Sequence, residues 1–211
     1  MRLPIAREGW VFILPTLAVT GIAAAAGLPI AAAVLAAAAI FLIQFFRDPE
    51  RTPEGGPDAI VSPADGTVLS ITEAPECPTG SRRRLSIFMS VFNCHVNRAP
   101  VSGRLQDYAY VPGRKDAAFA EKASTGNEQN RITLATASGT ITFKQIAGAL
   151  ARRIVFYPRV GDSLERGQRI GLIRFGSRVD LFLPDDAEPL VKDGDKVKAG
   201  RTPVARWPRG A

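Results

Sequence analysis

The feature that most constrains this chain is an apolar stretch near its N-terminus. The 38 residues from Gly9 to Phe46 contain no Asp, Glu, Lys or Arg. A helix needs about 20 residues to cross a bilayer, so this stretch is too long for one comfortable span. Gly27-Leu28-Pro29 interrupts it near the middle. We therefore predict two apolar helices that form a hairpin or a re-entrant pair in a membrane.

Positive charges flank the apolar stretch at both ends. Arg2 and Arg7 precede it, and Arg47 and Arg51 follow it. This distribution favours a cytoplasmic location for both ends. Two alternatives are a cleaved signal peptide and a buried helical pair in a soluble protein. The first is weakened by the second apolar run, Leu28 to Phe46, which cleavage would leave in place.

The chain as a whole is basic and poor in histidine and cysteine. Its 27 Lys and Arg exceed its 20 Asp and Glu, and the net charge of +7 suits an anionic partner, either nucleic acid or an acidic membrane surface. It has one histidine, His95, and two cysteines, Cys77 and Cys94. Zinc sites need several such ligands and a disulfide scaffold needs more cysteines, so we predict neither a metal site nor that scaffold.

The composition changes again after the apolar stretch. Proline, glycine and charged residues dominate 47–57, which is typical of a linker. Short β-type runs separated by turn residues follow from Asp58 onward. We predict three segments: a membrane-associated helical segment 1–46, a linker 47–57 and a β-rich domain 58–211.

The β-rich domain is predicted to be a sandwich or barrel, because it lacks a long amphipathic helix. Two short helices are expected, at Gln145–Ala151 and Lys115–Lys122. The predicted strands are Ala59–Val61, Gly66–Ile71, Leu85–Val91, Arg104–Tyr110, Arg131–Ala135, Gly139–Gln145, Ile154–Tyr157, Gln168–Ile173, Asp180–Leu183 and Thr202–Ala205.

One internal repeat stands out in the second half of the chain. The segment Gly161–Gly167 recurs as Gly194–Gly200, each with Gly-Asp, one residue, an aliphatic, two residues and Gly. The glycines predict positive φ angles at tight turns. This hammerhead pattern occurs in biotinyl and lipoyl carrier domains, which need a modifiable lysine. Such lysines usually lie beside a methionine or an acidic residue, and neither Met1 nor Met89 adjoins a lysine.

Three short motifs carry residues that could do chemistry. Asp65 lies in Ser62-Pro63-Ala64-Asp65-Gly66-Thr67-Val68, His95 in the run from Phe88 to Pro100, and Ser177 in the run from Ile173 to Leu181. Each motif also has a purely structural interpretation as a turn or strand end. His95 is the only imidazole available for proton transfer near neutral pH. The Gly176-Ser177 pair lacks the Gly-x-Ser-x-Gly elbow of ordinary α/β hydrolases.

In combination and in order, these segments resemble the short form of the phosphatidylserine decarboxylase proenzymes. The resemblance extends over nearly the whole chain and includes the type of the N-terminal apolar segment. In the motif that contains Ser177, this chain has Phe-Gly-Ser-Arg where the longer members of the family have Leu-Gly-Ser-Thr. Arg98 stands where those members have a second histidine. Both departures fit the short subclass. The matching segments are Phe45–Arg51, Ser62–Gly66, Asn93–Arg98 and Phe175–Asp180.

The resemblance implies an enzyme that processes itself. The chain would break between Gly176 and Ser177, and the large β chain 1–176 and the small α chain 177–211 would form a heterodimer. Ser177 would become a covalent pyruvoyl group, so that pyruvate is the cofactor. His95 would be the base that activates Ser177 and a candidate proton donor in decarboxylation. Asp65 would orient His95 and support its charged form.

The implied reaction is decarboxylation of phosphatidylserine to phosphatidylethanolamine in phospholipid biosynthesis. A lipid substrate agrees with the apolar hairpin and predicts an enzyme on the cytoplasmic side of the cell membrane, with no nucleic-acid partner. Arg98, Arg174 or Arg178 could bind the anionic substrate. The alternative is a membrane-anchored β-rich lipid-binding or carrier module without catalysis. The oligomeric state and the lipid backbone, diacyl or ether, are left open.

Overall fold

The computed structural model divides the chain into two compact units, Met1–Glu50 and Arg51–Ala211. This division falls inside the segment 47–57 that the sequence predicts as a linker. Gly176 and Cys77 lie outside the described residues. The structure describes residues 4–74, 83–114, 116–117, 123–149, 153–174 and 177–208.

The first unit is a pair of helices. A 3-10 turn at Arg7–Gly9 leads into α1, Trp10–Ala25, and α2 is Pro29–Phe45. The chain reverses between them at Gly27, whose φ of 70° is in the region that favours glycine.

The two ends of the helical pair are held together. The backbone N–H of Ala6 donates to the carbonyl oxygen of Phe46 at 2.8 Å. The rings of Phe12 and Phe46 stack with their centroids 5.7 Å apart. The helices are therefore antiparallel, which confirms the predicted helical hairpin.

Among the described residues, the segment Arg7–Ala25 is long and apolar enough to cross a membrane. It has 19 residues and a mean hydropathy of 1.5, whereas Pro29–Phe45 is a shorter apolar helix. Both helices expose large aliphatic side chains, which a lipid environment would cover. The most exposed of them are Ile30, Ile22, Ile40, Val34 and Val11.

The second unit is made mostly of strands, which confirms the mainly β prediction. Its one short helix in the described part of the chain is α3, Ala123–Gly126. The strands are β1 Ala59–Val61, β2 Gly66–Glu73, β3 Arg83–Met89, β4 Val96–Arg98, β5 Gly103–Val111, β6 Gln129–Thr136, β7 Gly139–Ala147, β8 Arg153–Phe156, β9 Ser163–Leu164, β10 Arg169–Arg174, β11 Ser177–Leu183, β12 Glu188–Pro189, β13 Lys196–Val197 and β14 Pro203–Arg206.

The described strands form three antiparallel sheets. The largest has the order β13-β2-β3-β11-β7-β6-β5-β9, and the two smaller ones have the orders β4-β10-β8 and β1-β14-β12. Strand β11 therefore lies between β3 and β7 inside the largest sheet. All ten predicted strands overlap an observed one. The strands that the sequence did not reveal, β4, β9, β12 and β13, have only two or three residues each.

The predicted helix at Gln145–Ala151 is wrong. Residues 145–147 continue strand β7, which is hydrogen-bonded to β6 and β11 on its two sides. A strand buried on both faces has a continuous apolar pattern, which periodicity alone does not separate from a buried helix. Of the helix expected at Lys115–Lys122, Asp116 and Ala117 are not helical, and the other residues lie outside the described part of the chain.

The glycines of the internal repeat have the positive φ angles that the sequence predicts. The values are 99° and 82° at Gly161 and Gly167, and 88° and 68° at Gly194 and Gly200. The two repeats also meet, because a Cβ atom on Gly200 would lie 3.1 Å from the Cα atom of Gly167. The repeat therefore forms a pair of packed turns.

Candidate active site

Ser177 is the first residue of β11 and has no exposed surface. It pairs with Met89 at the end of β3 and with Ala147 at the end of β7. Its Oγ–H donates to the sulfur of Met89, at an Oγ to Sδ distance of 3.2 Å. The hydroxyl thus lies in a dry interior against a weak acceptor.

His95 lies just beyond a tight turn that follows β3. The turn is held by the backbone N–H of Asn93, which donates to the Ser90 carbonyl at 2.9 Å, and by the Asn93 side-chain oxygen, which accepts the Ser90 backbone N–H at 2.8 Å. The Nδ1 atom of His95 is 3.0 Å from the Asn93 carbonyl oxygen. A proton on Nδ1 donated to that oxygen makes Nε2 the basic nitrogen.

The sheet register brings the His95 turn beside the chain that leads to Ser177. At one end of the turn, Met89 pairs with Ser177. At the other end, Val96 pairs with Leu172 on β10, a few residues before Ser177. The turn that carries His95 is thus attached at one end to Ser177 and at the other end to Leu172.

Asp65 is buried and paired with an arginine from the segment before the domain. The Arg51 guanidinium binds both carboxylate oxygens, with Nη2 2.9 Å from Oδ2, and the Ala199 backbone N–H donates to Oδ1 at 2.8 Å. A bidentate guanidinium fixes the plane of a carboxylate. The described contacts of this carboxylate are with Arg51 and Ala199, and its predicted action on His95 stays a prediction.

A glycine places Asp65 beside the end of β3. Thr67 pairs with Phe88, and a Cβ atom on Gly66 would lie only 2.0 Å from the Phe88 carbonyl oxygen. Only glycine therefore permits β2 to start so close to β3. The Asp65 loop consequently borders the point where β3 ends and the turn with His95 begins.

The two repeat turns support the loops of the first two motifs. The backbone N–H of Gly200 donates to the Ser62 carbonyl at 2.7 Å, and that of neighbouring Ala199 binds Asp65. In the second motif, Arg98 Nη1 donates to the Gly167 carbonyl at 3.0 Å. The repeat is therefore part of the structural support of the site.

Comparisons with known proteins identify the family of the chain. A sequence model of the family described as phosphatidylserine decarboxylase matches residues 38–205. The chain belongs to the phosphatidylserine decarboxylase family. Proteins named phosphatidylserine decarboxylase proenzyme are similar to it over most of their length. Those of Pelobacter propionicus and Geotalea uraniireducens are each 46% identical, covering 96% and 94% of both chains, and that of Ralstonia nicotianae is 47% identical over 95% of this chain and 94% of its own.

Membership of this family does not favour the alternative of a non-catalytic lipid-binding or carrier module. Within the described residues, no group of three or more His, Cys, Asp and Glu side chains is placed to hold a metal ion. The candidate residues Ser177, His95 and Asp65 carry a hydroxyl, an imidazole and a carboxylate, which suit acyl transfer and proton transfer.

In this member of the decarboxylase family, two of the three candidate substrate-binding arginines are enclosed in the fold. Arg98 is 3% exposed and binds the Gly167 carbonyl. Arg178 is 2% exposed and binds Asp180 and Ser86, each at 2.6 Å. Because side chains alternate along a strand, Arg178 projects from the face of β11 opposite to Ser177.

The third arginine, Arg174, has a different setting. It ends β10, three residues before Ser177, and is partly exposed. Its direct cross-strand neighbour on β8 is another arginine, Arg153, whose side chain is exposed. Two arginines on neighbouring strands therefore lie opposite each other, at the end of β10 from which the chain continues to Ser177.

Sequence reasoning missed several residues that the structure brings to this site. Arg51 carries no local sign that it binds Asp65, because 14 residues separate them. Arg153 becomes a candidate only through its register opposite Arg174. Buried amides near Ser177 also passed unnoticed, since a single Asn or Gln has no periodic signature. These amides are Asn97, Asn130 and Gln145.

Proposed function

We propose that this decarboxylase performs its reaction with a pyruvoyl group that it makes from its own Ser177. The reaction converts phosphatidylserine to phosphatidylethanolamine and CO₂, in keeping with the family. The observation that carries the pyruvoyl proposal is the position of Ser177, which is fully buried at the start of β11 beside the His95 turn. A pyruvoyl group supplies a carbonyl that takes up the substrate amine and withdraws electrons as CO₂ leaves.

The proposed processing reaction has two stages, formation of an ester and its elimination. Its Oγ attacks the carbonyl carbon of Gly176 while His95 takes the hydroxyl proton. The C–N bond of the peptide breaks, the Ser177 nitrogen gains a proton, and an ester joins Gly176 to Oγ. Loss of the Ser177 α-proton then breaks the Cβ–O bond and releases the Gly176 carboxylate. Water replaces the nitrogen of the resulting dehydroalanine, and ammonia leaves.

The surroundings of Ser177 fit both states of that residue. The Met89 sulfur accepts the hydroxyl hydrogen of the serine, and it is equally suited to contact a methyl group, into which processing converts the serine side chain. A strong acceptor in its place would be left buried and unsatisfied after processing, which costs about 1–3 kcal/mol. This compatibility supports the proposal.

We propose that Arg174, together with Arg153, binds the anionic headgroup of the substrate. The headgroup carries a phosphate and a carboxylate, and guanidinium groups on two neighbouring strands can bind either of these anions. For Arg98 and Arg178, whose described contacts lie within the fold, we propose supporting roles for the loops and for β11.

The topology supports a stable two-chain product. Cleavage before Ser177 leaves β11 hydrogen-bonded to β3 and β7 of the large chain. Strands β13 and β14 of the small chain likewise pair with β2 and β1. The small chain 177–211 would therefore stay in the fold as half of a heterodimer. The helical hairpin would hold this heterodimer at the cytoplasmic face of the membrane, where its lipid substrate lies.

Denaturing gel electrophoresis of the full chain, purified in detergent, tests the proposal. The expected result is a large fragment of 1–176 and a small fragment of 177–211 whose N-terminus is blocked to Edman sequencing. Ser177→Ala should stay as one inactive band, whereas the control Ser70→Ala, on β2, should be cleaved normally. A wild-type chain that decarboxylates phosphatidylserine while intact would overturn the pyruvoyl route.

A further inference from the structure

A continuous chain of polar side chains runs through the interior behind Ser177. It begins at partly buried Tyr108 and continues through three amides that are at most 1% exposed. The donor–acceptor distances are 3.1 Å from Tyr108 Oη to Asn130 Oδ1, 3.2 Å from Asn130 Nδ2 to Gln145 Oε1, and 2.9 Å from Gln145 Nε2 to Asn97 Oδ1.

The last amide of this chain reaches the acceptor of the Ser177 hydroxyl. Asn97 Nδ2 is 3.7 Å from the Met89 sulfur and 3.4 Å from the Pro63 carbonyl oxygen. The same sulfur accepts the hydroxyl hydrogen of Ser177. Asn97 thereby links the loop that carries Asp65 to the strand whose end faces Ser177.

All the hydrogen bonds of this chain have the same direction. Tyr108 donates to Asn130, and each amide donates to the next one toward Met89. Burial raises the pKa of Tyr108, and the neighbouring Tyr110 raises it further. The phenol consequently keeps its proton at neutral pH and acts as a donor, which fixes the orientation of every amide after it.

We propose that Tyr108, Asn130, Gln145 and Asn97 form a positioning network that holds Met89, and through it the Ser177 hydroxyl, in the orientation required for attack on Gly176. This inference rests on the proposed self-processing. The amides contact one another, Met89 and Pro63. They act by restricting the position of the sulfur against which Oγ rests, and small displacements of a nucleophile slow an intramolecular attack strongly.

A pair of matched variants on β7 tests the network. Gln145→Met keeps the length of the side chain and removes its amide. Thr142→Val is the control, because it removes another buried hydrogen bond, the 3.2 Å contact with Thr133, from the opposite face of the same strand. The measurements are the rate of self-cleavage of freshly translated full chain in detergent, the melting temperature, and release of the fragments by hydroxylamine, which cleaves an ester but not a peptide bond.

Gln145→Met is expected to slow cleavage by about 10- to 100-fold without accumulation of a hydroxylamine-sensitive ester, because ester formation is the step that needs orientation. Thr142→Val should cleave at nearly the wild-type rate with a similar fall in melting temperature. Equal slowing in both variants would show a general loss of stability and overturn the inference. So would accumulation of the ester in Gln145→Met, since the first step would then be intact.

Tyr108→Phe provides a milder test that can still be carried out if Gln145→Met does not fold. It removes only the terminal donor and retains the stacking of the ring on Phe156, at a centroid distance of 4.8 Å. We expect cleavage to slow by about 2- to 5-fold, and an unchanged rate would overturn the inference. If the wild-type chain is never cleaved, the proposed self-processing itself is wrong, whatever the variants do.

Discussion

The two faces of strand β11 differ sharply in chemistry. One face carries Ser177 together with the core residues Val179 and Leu181, and its polar contact is a weak hydrogen bond to Met89. The opposite face carries Arg178 and Asp180, which bind one another at 2.6 Å in a nearly dry environment. One strand thus combines a weakly bonded hydroxyl with a strongly bonded ion pair.

Further groups extend the ionic face. Asp180 also accepts a hydrogen bond from Ser124 on α3, and Arg84 Nε lies 4.0 Å from its carboxylate. Lys144 lies 5.2 Å above the ring of Phe182. Such a network fixes a strand in position, because displacement would leave buried charges uncompensated. One face of β11 therefore anchors the strand, while the other face holds Ser177 by only a weak hydrogen bond.

The largest effect is expected from Ser177→Ala on the weakly bonded face. It should abolish self-cleavage and decarboxylation completely, yet change the free energy of unfolding by no more than about 1 kcal/mol, since only a weak hydrogen bond is lost. Gel electrophoresis and guanidinium unfolding of the full chain in detergent measure the two quantities. A large loss of stability would mean that the face of Ser177 is also an anchor.

Asp180→Asn, on the ionic face, should instead have a large effect on stability. In the uncleaved Ser177→Ala background, it should lower the free energy of unfolding by about 3–5 kcal/mol, because Arg178 is left buried without its counter-charge. Glu188→Gln provides the control, since it breaks an exposed pair with Arg206 and should cost less than about 1 kcal/mol. Similar losses in the two variants would contradict the anchoring role of Asp180.

Arg51→Met tests whether the candidate carboxylate Asp65 needs its ionic partner. Removal of the guanidinium leaves Asp65 with the Ala199 N–H as its described donor. We expect a loss of about 1–3 kcal/mol in the free energy of unfolding and slower self-cleavage. Arg51→Lys retains the charge but not the bidentate geometry. Its stability and cleavage rate should lie between those of the wild type and of Arg51→Met. Normal cleavage in Arg51→Met would show that self-cleavage does not depend on the ion pair of Asp65 with Arg51.

Arg153→Ala should affect substrate binding alone. We expect the KM for phosphatidylserine in mixed micelles to rise by about 3- to 10-fold with little change in kcat, because a cation that binds the headgroup acts equally in the ground and transition states. Self-cleavage should be unaffected. The exposed Arg159, on the turn after β8, offers a control in Arg159→Ala. Equal changes in KM would indicate general attraction of anionic lipid rather than a headgroup site.

The smallest effect concerns Tyr108, whose pKa is raised above the ordinary value of 10.0 by burial and by Tyr110. A pKa that is higher in the folded state stabilises the fold fully below pH 10 and loses this contribution as the pH rises through the folded value. Phenolate absorbance should show a late-titrating component that Tyr108→Phe removes. A titration without such a component would contradict the buried donor at the start of the amide chain.

The sequence predicted the elements with strong local signals. The helical hairpin followed from the uncharged stretch and its interruption at Gly27, and ten strands followed from alternation and turn residues. The helix predicted at Gln145–Ala151 failed because Gln145 lies on a strand buried on both faces, where local periodicity is uninformative. The candidate residues Ser177, His95 and Asp65 came from ordered motifs and the resemblance that they carry.

By itself, then, the sequence determined the order of the elements, the family and the reactive residue types, because these depend on neighbours along the chain. Only the tertiary structure decided which groups meet. It paired Asp65 with Arg51, set Arg153 opposite Arg174, and joined Gln145 to Asn97 across 48 residues. Contacts of this kind depend on strand register and on the burial of polar groups, which a linear pattern does not contain.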